Sequence, residues 1–153
     1  MEVSAYFQIV QIKKILVCPD KFKGSITSLE ACKAIEKGIK KISKRILVSS
    51  IPIADGGEGT LECLVSNLGG VLRKARVMGP IGEEVTANFA ILKNGTGVIE
   101  VSEVCGLKHV PLTKRNPLIT TTFGVGQLFA KLMNLGCKKI ILGIGGSATN
   151  DGG

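Results

Sequence analysis

The feature that most constrains this chain is an alternation that runs twice between Lys14 and Gly69. Lys14-Ile15-Leu16-Val17-Cys18 is a short apolar run rich in strand formers, closed by Pro19-Asp20. A polar loop follows, then Thr27-Ser28-Leu29-Glu30, a T-x-x-E capping box in which side chains satisfy the free N–H groups of a helix start. Apolar Ala31, Ile35, Ile39 and Ile42 recur at three- and four-residue steps with lysines between them, which predicts an amphipathic helix ending near Ser43. Arg45 to Ile51 returns to strand chemistry. A second loop, Pro52 to Gly59, leads into a helix with Leu61, Leu64, Val65 and Leu68 on its apolar face and Gly69 at its stop. Strand, helix, strand, helix in this order predicts an α/β layer on parallel strands.

The middle of the chain changes character. Val71 to Val77, Val85 to Leu92 and Thr96 to Val101 read as strands joined by short turns, and Lys93-Asn94-Gly95 carries the Asn-Gly signature of a tight hairpin. A strand cluster after such an opening implies a change of sheet and a second module, with the boundary near Gly69-Gly70. Asn116-Pro117 then breaks the chain, and Thr120, Thr121 and Thr122 offer a cap. The helix beyond them carries Val125, Leu128, Phe129, Leu132, Met133 and Leu135 to a stop at Gly136. Lys139 to Leu142 is a last strand, and it feeds the glycine-rich end GIGGSATNDGG.

Composition narrows the class. With 153 residues, 44% of them hydrophobic, the chain can bury a core, and 4% aromatic content makes that core aliphatic. Five unclustered cysteines without a C-x-x-C pattern point to reduced thiols in a cytoplasmic protein. The single His109 argues against a His-based zinc site or triad and reads as a surface or packing residue. No apolar run approaches the roughly 18 residues of a membrane span. The opening stretch, residues 1–13, lacks the order of a signal peptide and reads as an extension. The formal charge of +8 is concentrated around the first helix without interleaved aromatics. That favours a solvated basic face and anionic small ligands over nucleic acid.

Three loops share one architecture: a strand, then a polar turn with glycine. In open α/β sheets ligands bind outside the carboxyl ends of strands, where glycines admit close backbone approach to an anion. The first, PDKFKGS, presents Asp20, Lys21, Lys23 and Ser25. Either lysine can meet a phosphate or carboxylate, and Asp20 can act as a base or hold a metal through water. The second, PIADGGEGT, offers Asp55 and Glu58, which suit Mg²⁺ or the positioning of a hydroxyl. The third is GIGGSATNDGG, which satisfies G-x-G-x-x-A at Gly143, Gly145 and Ala148 and lacks the lysine of a Walker A loop. It adds Gly146, Ser147, Thr149, Asn150 and Asp151. Arg115 suits a bidentate grip on a carboxylate, although an exposed loop arginine is common.

Taken in order, PDKFKGS, PIADGGEGT, GPIG, VIEVSEVCGL, RNPLITTTFGVGQL and GIGGSATNDGG resemble the glycerate kinase family, the bacterial type that phosphorylates glycerate with ATP. Departures from its usual pattern are Lys21 for Ser, Ile81 for Leu, Phe123 for Tyr, and Val101-Ser102 for Met-Ala. The resemblance implies two α/β domains with the site between them. Residues 14–70 would be the first part of a flavodoxin-like domain, and residues 71–153 the first part of a second α/β domain inserted into it. A further C-terminal portion of the same protein is then expected, and little activity or stability from the present chain without it.

The implied reaction transfers the γ-phosphoryl of ATP to a hydroxyl of D-glycerate, with 2-phosphoglycerate favoured. Catalytic candidates are Asp55, Glu58, Asp151 and Lys23, with Asp20, Lys21, Ser25 and Arg115 for substrate. Gly143, Gly145, Gly146, Ser147, Thr149 and Asn150 would hold phosphate or nucleotide, and Asp55 and Asp151 would hold Mg²⁺. The three carboxylates are not ranked by sequence. Alternatives from other classes are a non-catalytic nucleotide- or anion-binding module and a basic nucleic-acid-binding protein.

Overall fold

A computed structural model describes residues 12–151; the expected extension falls almost wholly outside them. Strand β1 (Lys14–Val17) pairs in parallel with β2 (Leu47–Ser50), Lys14 opposite Leu47 and Val17 opposite Ser50. Helix α1 (Ser28–Ile42) makes the crossover between them. Its capping box is formed: the Thr27 hydroxyl accepts the Glu30 N–H at 3.2 Å, and the Glu30 carboxylate accepts the Thr27 N–H at 2.8 Å. Ala31 and Cys32 are buried, but Ile42, expected on the core face, is 86% exposed. A helix of 15 residues is longer than the four-residue strands it packs on, so its last turn overhangs them.

Helix α2 (Thr60–Leu68) ends at Gly69, as its sequence predicts, and β3 (Gly70–Met78) follows at once. Strands β3, β4 (Glu84–Leu92) and β5 (Gly97–Glu100) form an antiparallel meander, with Gly70 opposite Leu92 and Phe89 opposite Ile99. Strand β6 (Ile140–Gly143) joins the other side of β5 in parallel, giving the order β3-β4-β5-β6. The strand expected over Thr96 to Val101 ends one residue early. Val101 instead opens a short helix, α3 (Val101–Cys105), which the apolar run did not reveal. Period alone does not separate a short buried strand from a short buried helix. Two 3-10 turns, Leu107–His109 and Leu112–Lys114, lead on toward α4 (Phe123–Asn134).

Two cores flank the four-stranded sheet. On one face Ala75, Val77, Ala87, Phe89 and Ile99 meet Val104, Val125, Leu128 and Leu132 from α3 and α4. On the other, Ala90, Leu92 and Val98 meet Leu61, Leu64 and Val65 of α2. The apolar stripe of α2 therefore rests on the second sheet, and packing crosses the sequence boundary expected at Gly69-Gly70. The architecture is mixed α/β with parallel pairs β1/β2 and β5/β6. Among the described residues, no helix is long and apolar enough to cross a membrane.

Candidate active site

The carboxyl ends of β1, β2 and β6 deliver polar loops to one region, where β5 runs directly into α3, and backbone hydrogen bonds join the three loops and α3 in series. The Ile53 N–H donates to the Pro19 carbonyl at 3.2 Å, linking the loops after β1 and β2. The Gly145 N–H donates to the Gly56 carbonyl at 2.9 Å, linking the loops after β2 and β6. Ala148 N–H donates to the Cys105 carbonyl at 2.8 Å, tying the last loop to α3. This is the position at which open α/β sheets bind ligands.

The glycines at the crossing are set by contact. A Cβ on Gly143 would stand 2.6 Å from the Gly56 carbonyl oxygen, and one on Gly145 would stand 2.8 Å from the Cα and N of Gly57. Two backbones pass here with no room for side chains. Close packing of the loops thus accounts for glycine at these positions, whatever ligand lies beyond them.

One cleft, about 360 Å³ in volume, collects residues from both sheets. The first loop contributes Asp20, Lys21, Lys23 and Ser25, the second contributes Glu58, and Glu30, Glu62, Glu100 and Glu103 complete the acidic lining. Lys21 is largely committed: its side chain is 13% exposed and its ammonium lies 3.4 Å from Asp55 Oδ1 and 3.9 Å from Asp20 Oδ1. The Gly57 N–H donates to Asp55 at 3.0 Å, and that bond, followed by Lys21, holds the Asp55 carboxyl below its ordinary value. Lys23 is exposed, and among the described residues no carboxylate lies within ion-pair distance of it.

Glu100 and Glu103 were not singled out from sequence, although both sit in the quoted stretch VIEVSEVCGL. The available signal was a charged residue at the end of the apolar strand Gly97–Glu100. Glu100 is 1% exposed, and burial pushes its carboxyl up despite two donors. The Leu61 N–H donates to Oε2 at 3.3 Å and the Ser102 hydroxyl to Oε1 at 2.6 Å. Burial also opposes ionisation of Glu103, but the Lys108 ammonium and the Asn88 backbone and side-chain N–H groups outweigh it and bring that carboxyl down. His109 packs beside them, its Nε2 2.8 Å from the Glu103 carbonyl, in keeping with a packing role.

A second cavity of about 470 Å³ lies at the start of α4. Ser147, Thr149, Asp151 and Thr122 line its polar side, and Val125, Phe129, Leu142 and Ile144 its apolar side. The Ser147 and Thr149 hydroxyls are 2.7 Å apart. Asp151 accepts the Thr122 N–H at 3.0 and 3.2 Å from its two oxygens. Slight burial opposes its ionisation, but this donor and neighbouring hydroxyls bring the carboxyl below its ordinary value.

The proposed residues are thus divided. Asp20, Lys21, Lys23, Ser25 and Glu58 share the first cleft, with Asp55 fixed to it through Lys21; Ser147, Thr149 and Asp151 share the second cavity. Asn150 and Arg115 line neither, and the Arg115 Nε donates to the Val110 carbonyl at 3.3 Å. Among the described residues no three His, Cys, Asp or Glu side chains gather as a metal cluster. The hydroxyl and carboxylate oxygens beside the second cavity are nonetheless the hard donors that Mg²⁺ takes singly or in pairs alongside substrate phosphates.

Residues 15–153 match the glycerate kinase family. The chain is 48% identical over 141 residues to the glycerate kinase of Bacillus subtilis (strain 168), covering 92% of this chain and 37% of that protein. It is 46% identical to the glycerate 2-kinase of Escherichia coli (strain K12), with the same coverage. A crystal structure described as glycerate kinase 2 from Salmonella typhimurium LT2 superposes with a TM-score of 0.80 at 41% identity, over 92% of this chain and 38% of that one. The chain therefore spans 37% of the length of these curated relatives, and it belongs to the glycerate kinase family.

Proposed function

We propose that this chain forms part of an ATP-dependent D-glycerate kinase, which transfers the γ-phosphoryl group to a hydroxyl of glycerate, the 2-hydroxyl being favoured. The observation that carries this reading is the series of hydrogen-bonded loops at the carboxyl ends of β1, β2 and β6, tied to α3 after β5, in a member of this family.

Phosphoryl transfer needs positioning and charge neutralisation more than covalent help. Exposed Lys23 is the cation available to an incoming phosphate or carboxylate, while Lys21 orders Asp55. Glu58, on the cleft wall, and Asp55 are the groups suited to orient the accepting hydroxyl or take its proton. Ser147 and Thr149 offer hydroxyls to phosphate on the polar side of the second cavity. Asp151, with Asp55 as the other candidate, would hold Mg²⁺, which supplies neutralisation of phosphate charge when bound. Arg115 keeps its terminal guanidinium nitrogens for the glycerate carboxylate.

The test is a chimaera in which residues 15–153 replace the matching segment of the Bacillus subtilis relative. ATP- and glycerate-dependent ADP release is expected, with ³¹P and ¹H NMR identifying the 2-phosphate as product. Absence of glycerate-dependent ADP release from a folded chimaera would sink the reading, and a 3-phosphate product would correct its finer part. Salt-sensitive binding of RNA or DNA without turnover would favour the nucleic-acid alternative.

A further inference from the structure

We propose that Glu100 is a positioning residue of this site, holding the first turn of α2, and through it the Asp55–Gly59 loop, in register with the cleft. The proposal rests on the glycerate kinase reading for its effect on turnover, but its structural half stands on geometry alone.

A helix start leaves backbone N–H groups without intrahelical partners, and these are usually met by a Ser, Thr, Asp or Asn side chain at the N-cap. The N-cap of α2 is Gly59, at φ 92°, so it has no side chain to offer. The cap comes instead from far along the chain: the Leu61 N–H donates to Oε2 of Glu100 at 3.3 Å. Glu100 stands at the end of β5, and its other oxygen is fixed by the Ser102 hydroxyl at 2.6 Å. Its side chain is therefore held from the four-stranded sheet while it holds the helix.

The turn of α2 that it holds is bonded in turn to the catalytic loop. The Thr60 hydroxyl donates to the Gly57 carbonyl at 2.6 Å, and the Gly57 N–H donates to Asp55 at 3.0 Å. Glu58, between them, lines the same cleft as Glu100. A shift of the α2 start thus moves Asp55 and Glu58 together, and displacement of about 1 Å at such groups can cost on the order of a hundredfold in rate. An apolar residue at the end of β5 would leave the Leu61 N–H without this acceptor. Burying this carboxylate costs desolvation, and one of the two donors it engages, the Leu61 N–H, belongs to the turn that places this loop.

Both of its oxygens are engaged within the protein, so Glu100 acts through α2 and not on the reactants. Glutamine should then replace it, accepting from Leu61 and donating to the Ser102 oxygen. Alanine should not. Hydrogen exchange on the 153-residue chain should show the Leu61 amide exchanging about tenfold faster in Glu100→Ala and near the parent rate in Glu100→Gln. In the chimaera, Glu100→Ala should lower kcat about tenfold with KM for ATP within about twofold, and Glu100→Gln should restore most of kcat. The proposal is overturned if Leu61 is unprotected in the unsubstituted chain or if Glu100→Ala leaves exchange and kcat unchanged. It is also overturned if Glu100→Gln falls as far as alanine, which would mark a charge acting directly on the reactants. The unsubstituted chimaera tests the kinase reading separately, since its inactivity would leave the exchange result intact.

Discussion

The backbone N–H of Gly145 donates to the carbonyl of Gly56 at 2.9 Å, so two loops far apart in sequence cross in direct backbone contact. One carries Asp55 and Glu58, the other Ser147, Thr149 and Asp151. The crossing brings the two sets of candidate groups onto neighbouring surfaces while leaving them in separate cavities.

A methyl group at this crossing should be felt at once. Gly145→Ala would place Cβ 2.8 Å from Gly57 backbone atoms, and backbone cannot swing aside as a side chain does. Urea denaturation should show a loss of about 1–3 kcal/mol, typical of overpacking. Gly38→Ala is the matched control: it lies within α1 with nothing within 4 Å of an added Cβ. It should stabilise by about 0.5–1 kcal/mol through helix propensity. Equal effects from the two substitutions would contradict the packing account.

The pH dependence of stability should separate Glu100 from the other carboxylates. Burial raises the Glu100 carboxyl in the folded chain, whereas the unfolded chain ionises near the ordinary value of about 4.3. The stabilisation from its retained proton is present in acid and is lost as pH rises from that value to the folded one. Glu103 and Asp151, whose values are lowered, contribute stability above their ordinary range that is lost as pH falls. The Tm of Glu100→Gln minus that of the parent should therefore increase with pH above about 4.3 and then level off. A difference that is flat or declines over this range would show that burial does not govern Glu100.

Lys21 and Lys23 should part company in mutagenesis. Lys21→Ser removes the ammonium beside Asp55, and the Asp55 carboxyl, followed by ¹³C NMR, should titrate at higher pH. The Gly57 N–H, the largest single influence, remains and should keep it below the ordinary value. Lys23→Ala should leave Tm nearly unchanged, since the side chain is exposed, yet lower kcat/KM of the chimaera by about tenfold or more if it meets substrate or phosphate charge. Lys37→Ala, on the exposed face of α1, should leave both unchanged.

Removing the Asp151 carboxylate should loosen α4. Asp151→Ala leaves the Thr122 N–H at the helix start without its acceptor, which should cost about 1 kcal/mol. Asp151→Asn keeps an acceptor and should recover most of that stability. If chimaera activity stays low in the Asn variant while Tm recovers, the carboxylate has a role beyond capping, consistent with Mg²⁺ or phosphate chemistry. Full recovery of both would remove Asp151 from the catalytic set.

Local chemistry determined the pieces of this protein. Thr27 and Glu30 cap α1, Gly69 ends α2, and Asn94-Gly95 turns the hairpin, because each effect acts over a few residues and needs no distant partner. The glycine-bearing loops at strand ends were legible for the same reason, and the motif order carried the family. Tertiary structure decided which pieces meet. Ile42 is exposed because the last turn of α1 overhangs the short strands β1 and β2; α2 rests on the second sheet because Ala90, Leu92 and Val98 offer its stripe an apolar face. Val101 turns into helix where an apolar run could equally have stayed extended. Above all, the pairing of Leu61 with Glu100 and the passage of Gly145 over Gly56 depend on how separate strands align in space. Residue order records what each segment favours, whereas long-range contacts depend on the packing of all of them together.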